Sequence, residues 1–154
     1  MTSEKPRKPR EFRRSDDIEY GPLGPGQEPV KDPMKGLSGV MSGTLIMEAI
    51  TIFLCLTVIL KIQEGALWTT FNWVFVTVMG FAHLIAAFVQ RRPGALWLNL
   101  GLQVPLIVVG FFIHWSVGAV GIMFAIVWFL VVQMRSDILE RQRRGLLTTQ
   151  HLGT

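Results

Sequence analysis

Between Gly36 and Leu60 the chain runs for 25 residues with a single charged side chain, the carboxylate of Glu48 near the centre. As an α-helix this stretch is ~37 Å long, enough to cross a bilayer with some tilt. A carboxyl group at the centre of such a helix costs roughly 2.5–3.5 kcal/mol to insert, so it must face protein or water rather than lipid. Glu48 therefore demands partners. Those partners have to come from further apolar segments.

Three such segments follow, at about 67–89, 94–113 and 117–134, each near the ~20 residues that a crossing requires. Gln63, Glu64 and Gly65 form the first connection, Gln90-Arg91-Arg92-Pro93 a tight basic second one, and His114-Trp115-Ser116 the third. Connections this short force neighbouring spans to run antiparallel. The expected fold is an all-α, up-down, four-helix transmembrane bundle.

Charge sets the orientation. Of 15 Lys and Arg, 14 lie before Gly36, at Arg91 and Arg92, or after Met134, which leaves only Lys61 at the opposite end. By the positive-inside rule both termini and the Arg91–Arg92 turn face the cytoplasm, with Arg91, Arg92 and Arg135 at the headgroup level. Trp68, Trp73 and Trp115 then fall at the outer interface and Trp97 at the inner one, as aromatic belts require. The net charge of +4 is thus a topology signal rather than a nucleic-acid footprint, and no nucleic acid is expected as a partner.

Residues 1–35 hold six prolines and a mixed set of charges with little apolar content, so they read as a disordered cytoplasmic tail. Beyond Met134 the fourth helix extends about two turns into the cytoplasm, supported by Asp137–Arg141 and Glu140–Arg144 spacings. Gly145 is placed to end it, and residues 146–154 are expected to fray.

Helical spacing sorts the intramembrane polar groups into faces. Thr44, Thr51 and Cys55 lie near Glu48 on the first span, Asn72 and His83 share a face of the second, and Asn99, Gln103 and His114 line the third. Counting depth from the cytoplasmic ends pairs Glu48 with Gln103, and His83 with Asn99. Such a cluster of Glu48, His83, Asn99 and Gln103 has three readings: hydrogen-bonded glue with a carboxyl that keeps its proton, a contact for a partner, or a proton or solute relay. Small residues mark packing faces, Gly39 and Gly43 on the first span and Gly118, Gly121 and Ala125 on the fourth. Packing within the chain is the favoured use of both.

Reaction chemistry is not evident. HExxH, a nucleophile elbow with triad partners, a phosphate-cradling loop and CxxC are all missing, and Cys55 is the single cysteine. No metal or cofactor is expected. The leading reading is a non-enzymatic accessory or assembly subunit of the cell membrane that binds the bilayer and another membrane protein or a second copy of itself. The alternative is an oligomeric transporter or proton-linked carrier that uses the polar cluster.

The stretch from Lys35-Gly36-Leu37 through Gly43-Thr44-Leu45-Ile46-Met47-Glu48-Ala49-Ile50 resembles the small actinobacterial membrane proteins grouped as domain of unknown function 4233. The second half does so too, where Gln103, Gly110-Phe111 and Gly118-Ala119-Val120-Gly121 lead to Phe124-Ala125-Ile126-Val127-Trp128. The resemblance covers about residues 34–138 and implies a four-span membrane protein with no established activity. It includes the positions of Glu48 and Gln103 but not the Pro-rich tail.

Overall fold

Asp32 starts the first helix. Its carboxylate accepts the Met34 N–H at 2.9 Å, and Pro33 sits at the first helical position, where its missing N–H costs nothing. In the computed structural model, which describes residues 20–151, α1 spans Pro33–Lys61, three residues earlier than the apolar run suggests. The expectation of a disordered tail over residues 1–19 lies outside the described residues.

A 3-10 turn at Ile62–Gly65 follows, with Gln63 and Glu64 in the left-handed region at φ 52° and 56°. Thr69 then caps α2 (Thr70–Phe88) by accepting the Asn72 N–H at 3.2 Å, so this helix begins three residues later than its apolar run. α3 is Ala95–Ile113, entered through Gly94 at φ 84°. The expected His114–Ser116 turn shrinks to one residue: His114 Nδ1 accepts the Ser116 N–H at 3.2 Å and α4 runs unbroken from Trp115 to Arg143. The described residues contain no strand.

Residues 32–138 form one compact unit. Contacts across it rise along one helix as they fall along the next, which makes the neighbours antiparallel. Ser42 Oγ donates to the Ala87 carbonyl at 2.8 Å, while farther along α1 the Phe53 ring meets Phe81 edge-on at 5.3 Å. Between α3 and α4, Gly110 abuts the Val117–Gly118 backbone and Gly121 lies under Ile107. One apolar cluster is built around Leu45, Phe124 and Trp128, and a second around Ile52, Ile59, Leu106 and Val117.

The outer surface is apolar as well, with Phe88 80% and Phe112 85% exposed. All four helices are long and apolar enough to cross a membrane. Large side chains left bare in this way are the signature of a bundle whose solvent is lipid, and the chain is a multi-pass membrane protein.

The second unit consists, among described residues, of 20–31 and 139–151. Gly145, at φ 67°, ends α4: its N–H bonds the Gln142 carbonyl and that of Leu146 the Arg141 carbonyl, the paired closure of a Schellman stop. Glu140 accepts from Arg144 Nε at 2.7 Å, whereas Asp137 and Arg141 form no ion pair. Instead of fraying, residues 148–150 make a 3-10 turn. Gln27 and Val30 donate backbone hydrogen bonds to the carbonyls of Gln150 and Thr149. Residues 20–31 therefore depart from the expected disordered tail, because their backbone polar groups find partners in the C-terminal segment.

Candidate functional site

Glu48 is completely buried and is met by every other helix of the bundle. Its Oε1 accepts from Gln103 Nε2 of α3 at 2.5 Å, and its Oε2 accepts from Trp128 Nε1 of α4 at 3.0 Å. His83 of α2 brings Nε2 to 3.5 Å from Oε1. One carboxyl thus ties α1 to three neighbours, a use that explains why an expensive group occupies this position.

The histidine has a defined tautomer. Its Nδ1 lies 2.7 Å from the Met79 carbonyl, which can only accept, so Nδ1 carries hydrogen. Nε2 then faces the carboxyl group without a hydrogen bond of its own, and Gln103 Oε1 likewise has no partner. A neutral ring would oppose its lone pair to a carboxylate oxygen. The geometry is therefore best satisfied by one proton held between Glu48 and His83, on either group.

Asn99 is elsewhere. It forms a reciprocal amide pair with Gln90, donating from Nδ2 at 2.7 Å and accepting from Gln90 Nε2 at 3.0 Å. Gln90 also donates to the Ala86 carbonyl at 2.6 Å, so two buried amides clamp the end of α2 to the start of α3 across the Arg91–Arg92 turn. The expected His83–Asn99 pairing is corrected to His83–Glu48 and Asn99–Gln90.

The physical reason is axial register. Depth counting placed the helix ends in common planes, yet the Ser42–Ala87 hydrogen bond sets the end of α2 level with a residue well inside α1. From that level Glu48 is six residues up and His83 four, ~9 and ~6 Å, close enough for side chains to meet.

Thr44 and Thr51 do not join the site. Their hydroxyls donate to the Val40 and Met47 carbonyls of their own helix, each at 2.9 Å. His114 stays at its turn as a cap, with Nδ1 2.7 Å from Ser116 Oγ. Two participants escaped the sequence reading. Trp128 is the one tryptophan that is completely buried, and a buried indole N–H needs an acceptor, but its depth in the span is no greater than that of Trp73, so counting along the chain does not single it out. Gln90 looked like part of a polar turn.

The small-residue faces divide. Gly118 lies under the Phe111 ring and Gly121 against Ile107, with Ala125 one turn on, so α4 uses its face within the chain. Among the described residues, no atom of another element lies within 4 Å of a Cβ added at Gly39 or Gly43, which corrects the expectation that they pack against a neighbouring span. Arg91, Arg92 and Arg135 line a cavity at the end of the bundle where α1 begins. Among described residues no cluster of three metal-ligating side chains occurs.

A bundle of apolar helices pinned by one buried carboxyl defines an integral membrane protein of the polytopic α-helical class. Its particular family is given by a match over residues 38–144 to the family described as Protein of unknown function (DUF4233), and the chain belongs to that family. No curated protein and no solved structure matches it.

Proposed function

We propose that this protein is a non-enzymatic interaction subunit of the cell membrane, with both termini cytoplasmic, that docks another transmembrane helix on the outer face of α1. The observation that carries this reading is the open face of Gly36, Gly39 and Gly43, where, among the described residues, no atom of another element lies within 4 Å of an added Cβ. The ridge continues through Val40, Met47, Ile50 and Leu54, all exposed. Gly36, Val40, Gly43, Met47, Ile50 and Leu54 alternate steps of four and three, the 3.5-residue repeat that keeps one helix seam against another. Small residues let backbones approach closely, and the packing this allows is one of the forces that associate helices in lipid. The orientation rests on the distribution of Lys and Arg.

The test is purification of the tagged protein from its own membranes in mild detergent, with the subunit composition determined by mass. A second membrane protein should be retained in fixed stoichiometry and released by Gly39→Ile/Gly43→Ile. A monodisperse monomer in the wild type, or a partner indifferent to the double substitution, would overturn the reading.

The Glu48–His83 pair supports a second reading, an oligomeric proton-linked carrier, because His83 Nε2 faces the buried carboxyl at 3.5 Å without a hydrogen bond of its own. Glu48→Gln separates the two. A docking subunit keeps its complex, whereas a carrier reconstituted in liposomes loses proton-coupled flux entirely.

A further inference from the structure

Four cations meet at one end of the bundle. Lys35 comes from the first turn of α1, Arg91 and Arg92 from the α2–α3 turn, and Arg135 from α4, and together they line a cavity of about 650 Å³. None of them has a carboxylate partner among the described residues, whose ion pairs are confined to Glu48–His83 and to Glu140 with Arg143 and Arg144. The one carboxylate on the cavity wall, Asp32, is engaged in capping α1. Gathering four cations against one carboxylate in a concave site raises the local potential, and an anion relieves the repulsion.

The rest of the wall says what kind of anion. Leu37, Met41, Leu100 and Val132 supply an apolar floor, and the exposed Trp97 stands at the rim. The volume lies in the ~300–1,000 Å³ range of small-molecule sites. A cationic mouth over an apolar floor at the end of a membrane bundle matches an amphiphile whose charge and hydrocarbon sit side by side. The α3 N-terminus also opens here through Gly94, which offers no side chain to cap it.

From this placement we infer that the cavity binds the phosphate-bearing headgroup of an anionic glycerophospholipid, with Lys35, Arg91, Arg92 and Arg135 on the phosphate. The site is independent of the α1 ridge and of Glu48, so it stands or falls separately from the proposed docking function. It also gives the Arg91–Arg92 turn a task beyond orientation. The Gln90–Asn99 clamp holds that turn in place for it.

The test is native mass spectrometry of the full-length protein in detergent, titrated with phosphatidylglycerol or phosphatidylcholine. Wild type should retain phosphatidylglycerol preferentially. Arg91→Gln/Arg92→Gln/Arg135→Gln should weaken it by roughly a hundredfold, at about fivefold per cation. Arg143→Gln, which removes a cation not on the cavity wall, should leave it unchanged. Because losing the turn arginines can disturb insertion, Ser38→Trp, which projects a bulky ring from the cavity wall and keeps every charge, should also weaken retention in a helical protein. Inorganic phosphate and glycerol 3-phosphate should compete only weakly. Equal retention of both lipids, loss in Arg143→Gln, or undiminished retention in Ser38→Trp would overturn the site, and binding of free phosphate as tight as that of the lipid would overturn the lipid assignment.

Discussion

Replacing Glu48 by Leu removes the acceptor shared by Gln103 Nε2 and Trp128 Nε1 and strands two buried donors. A buried donor left unpaired costs ~1–3 kcal/mol, so two give ~2–6 kcal/mol. Interhelical hydrogen bonds measured in lipid average only ~0.6 kcal/mol, with a maximum near 1.7, which pulls the expectation toward the lower half of that range. We expect Glu48→Leu to cost about 2–4 kcal/mol and Trp128→Phe about 1–2 kcal/mol. The two changes delete the same hydrogen bond. Their combination should therefore cost about 1 kcal/mol less than their sum.

The assay is titration of the protein from mild-detergent micelles with dodecyl sulfate, followed by far-ultraviolet circular dichroism, which needs no tryptophan signal. Glu48→Leu with Asn99→Leu is the control, because Asn99 bonds Gln90 and shares no partner with Glu48. That pair should be additive within ~0.5 kcal/mol. Additivity of Glu48 and Trp128 within ~0.3 kcal/mol would refute the idea that one carboxyl joins α1 to α4.

Other consequences are equally direct. Gly118→Ala and Gly121→Ala push a methyl into Phe111 and Ile107 and should each cost ~1–3 kcal/mol in the same titration, whereas Gly39→Ala should leave the isolated bundle within ~0.5 kcal/mol of wild type. Asn99→Ala leaves Gln90 Oε1 without its donor, while Gln90 Nε2 keeps the Ala86 carbonyl, and should destabilise by ~1–3 kcal/mol, with faster hydrogen exchange confined to the Arg91–Gly94 turn. Gly145→Ala strains a left-handed backbone position and forces a methyl against the Gly24 and Pro25 backbone. Trypsin should then cut after Lys31 and Arg144 sooner, with no change in resistance of the spans.

Much of this architecture was legible in the residues, because the bilayer narrows the choices. Lipid cannot hydrogen-bond a backbone, so long apolar runs must be helices, and short loops must reverse them. The boundaries shifted where side chains decide them: Asp32-Pro33 begins α1 ahead of its apolar run, and Thr69 delays α2 behind its own. The buried faces carrying Glu48, His83, Asn99 and Gln103 were readable because the angle between residues on one helix follows from 3.6 residues per turn.

Sequence by itself therefore determined four helices, their alternation, their inward faces and the need of Glu48 for partners. Tertiary structure alone decided which partners those are. Periodicity specifies the angle of a side chain about its own axis but carries no information on how far one helix is shifted along another. That shift, visible at Ser42 and Ala87, brings His83 to Glu48 and leaves Asn99 to Gln90. The same holds for the glycines. Gly118 and Gly39 look alike in the chain, and only the placement of Phe111 makes one a packing site and leaves the other open.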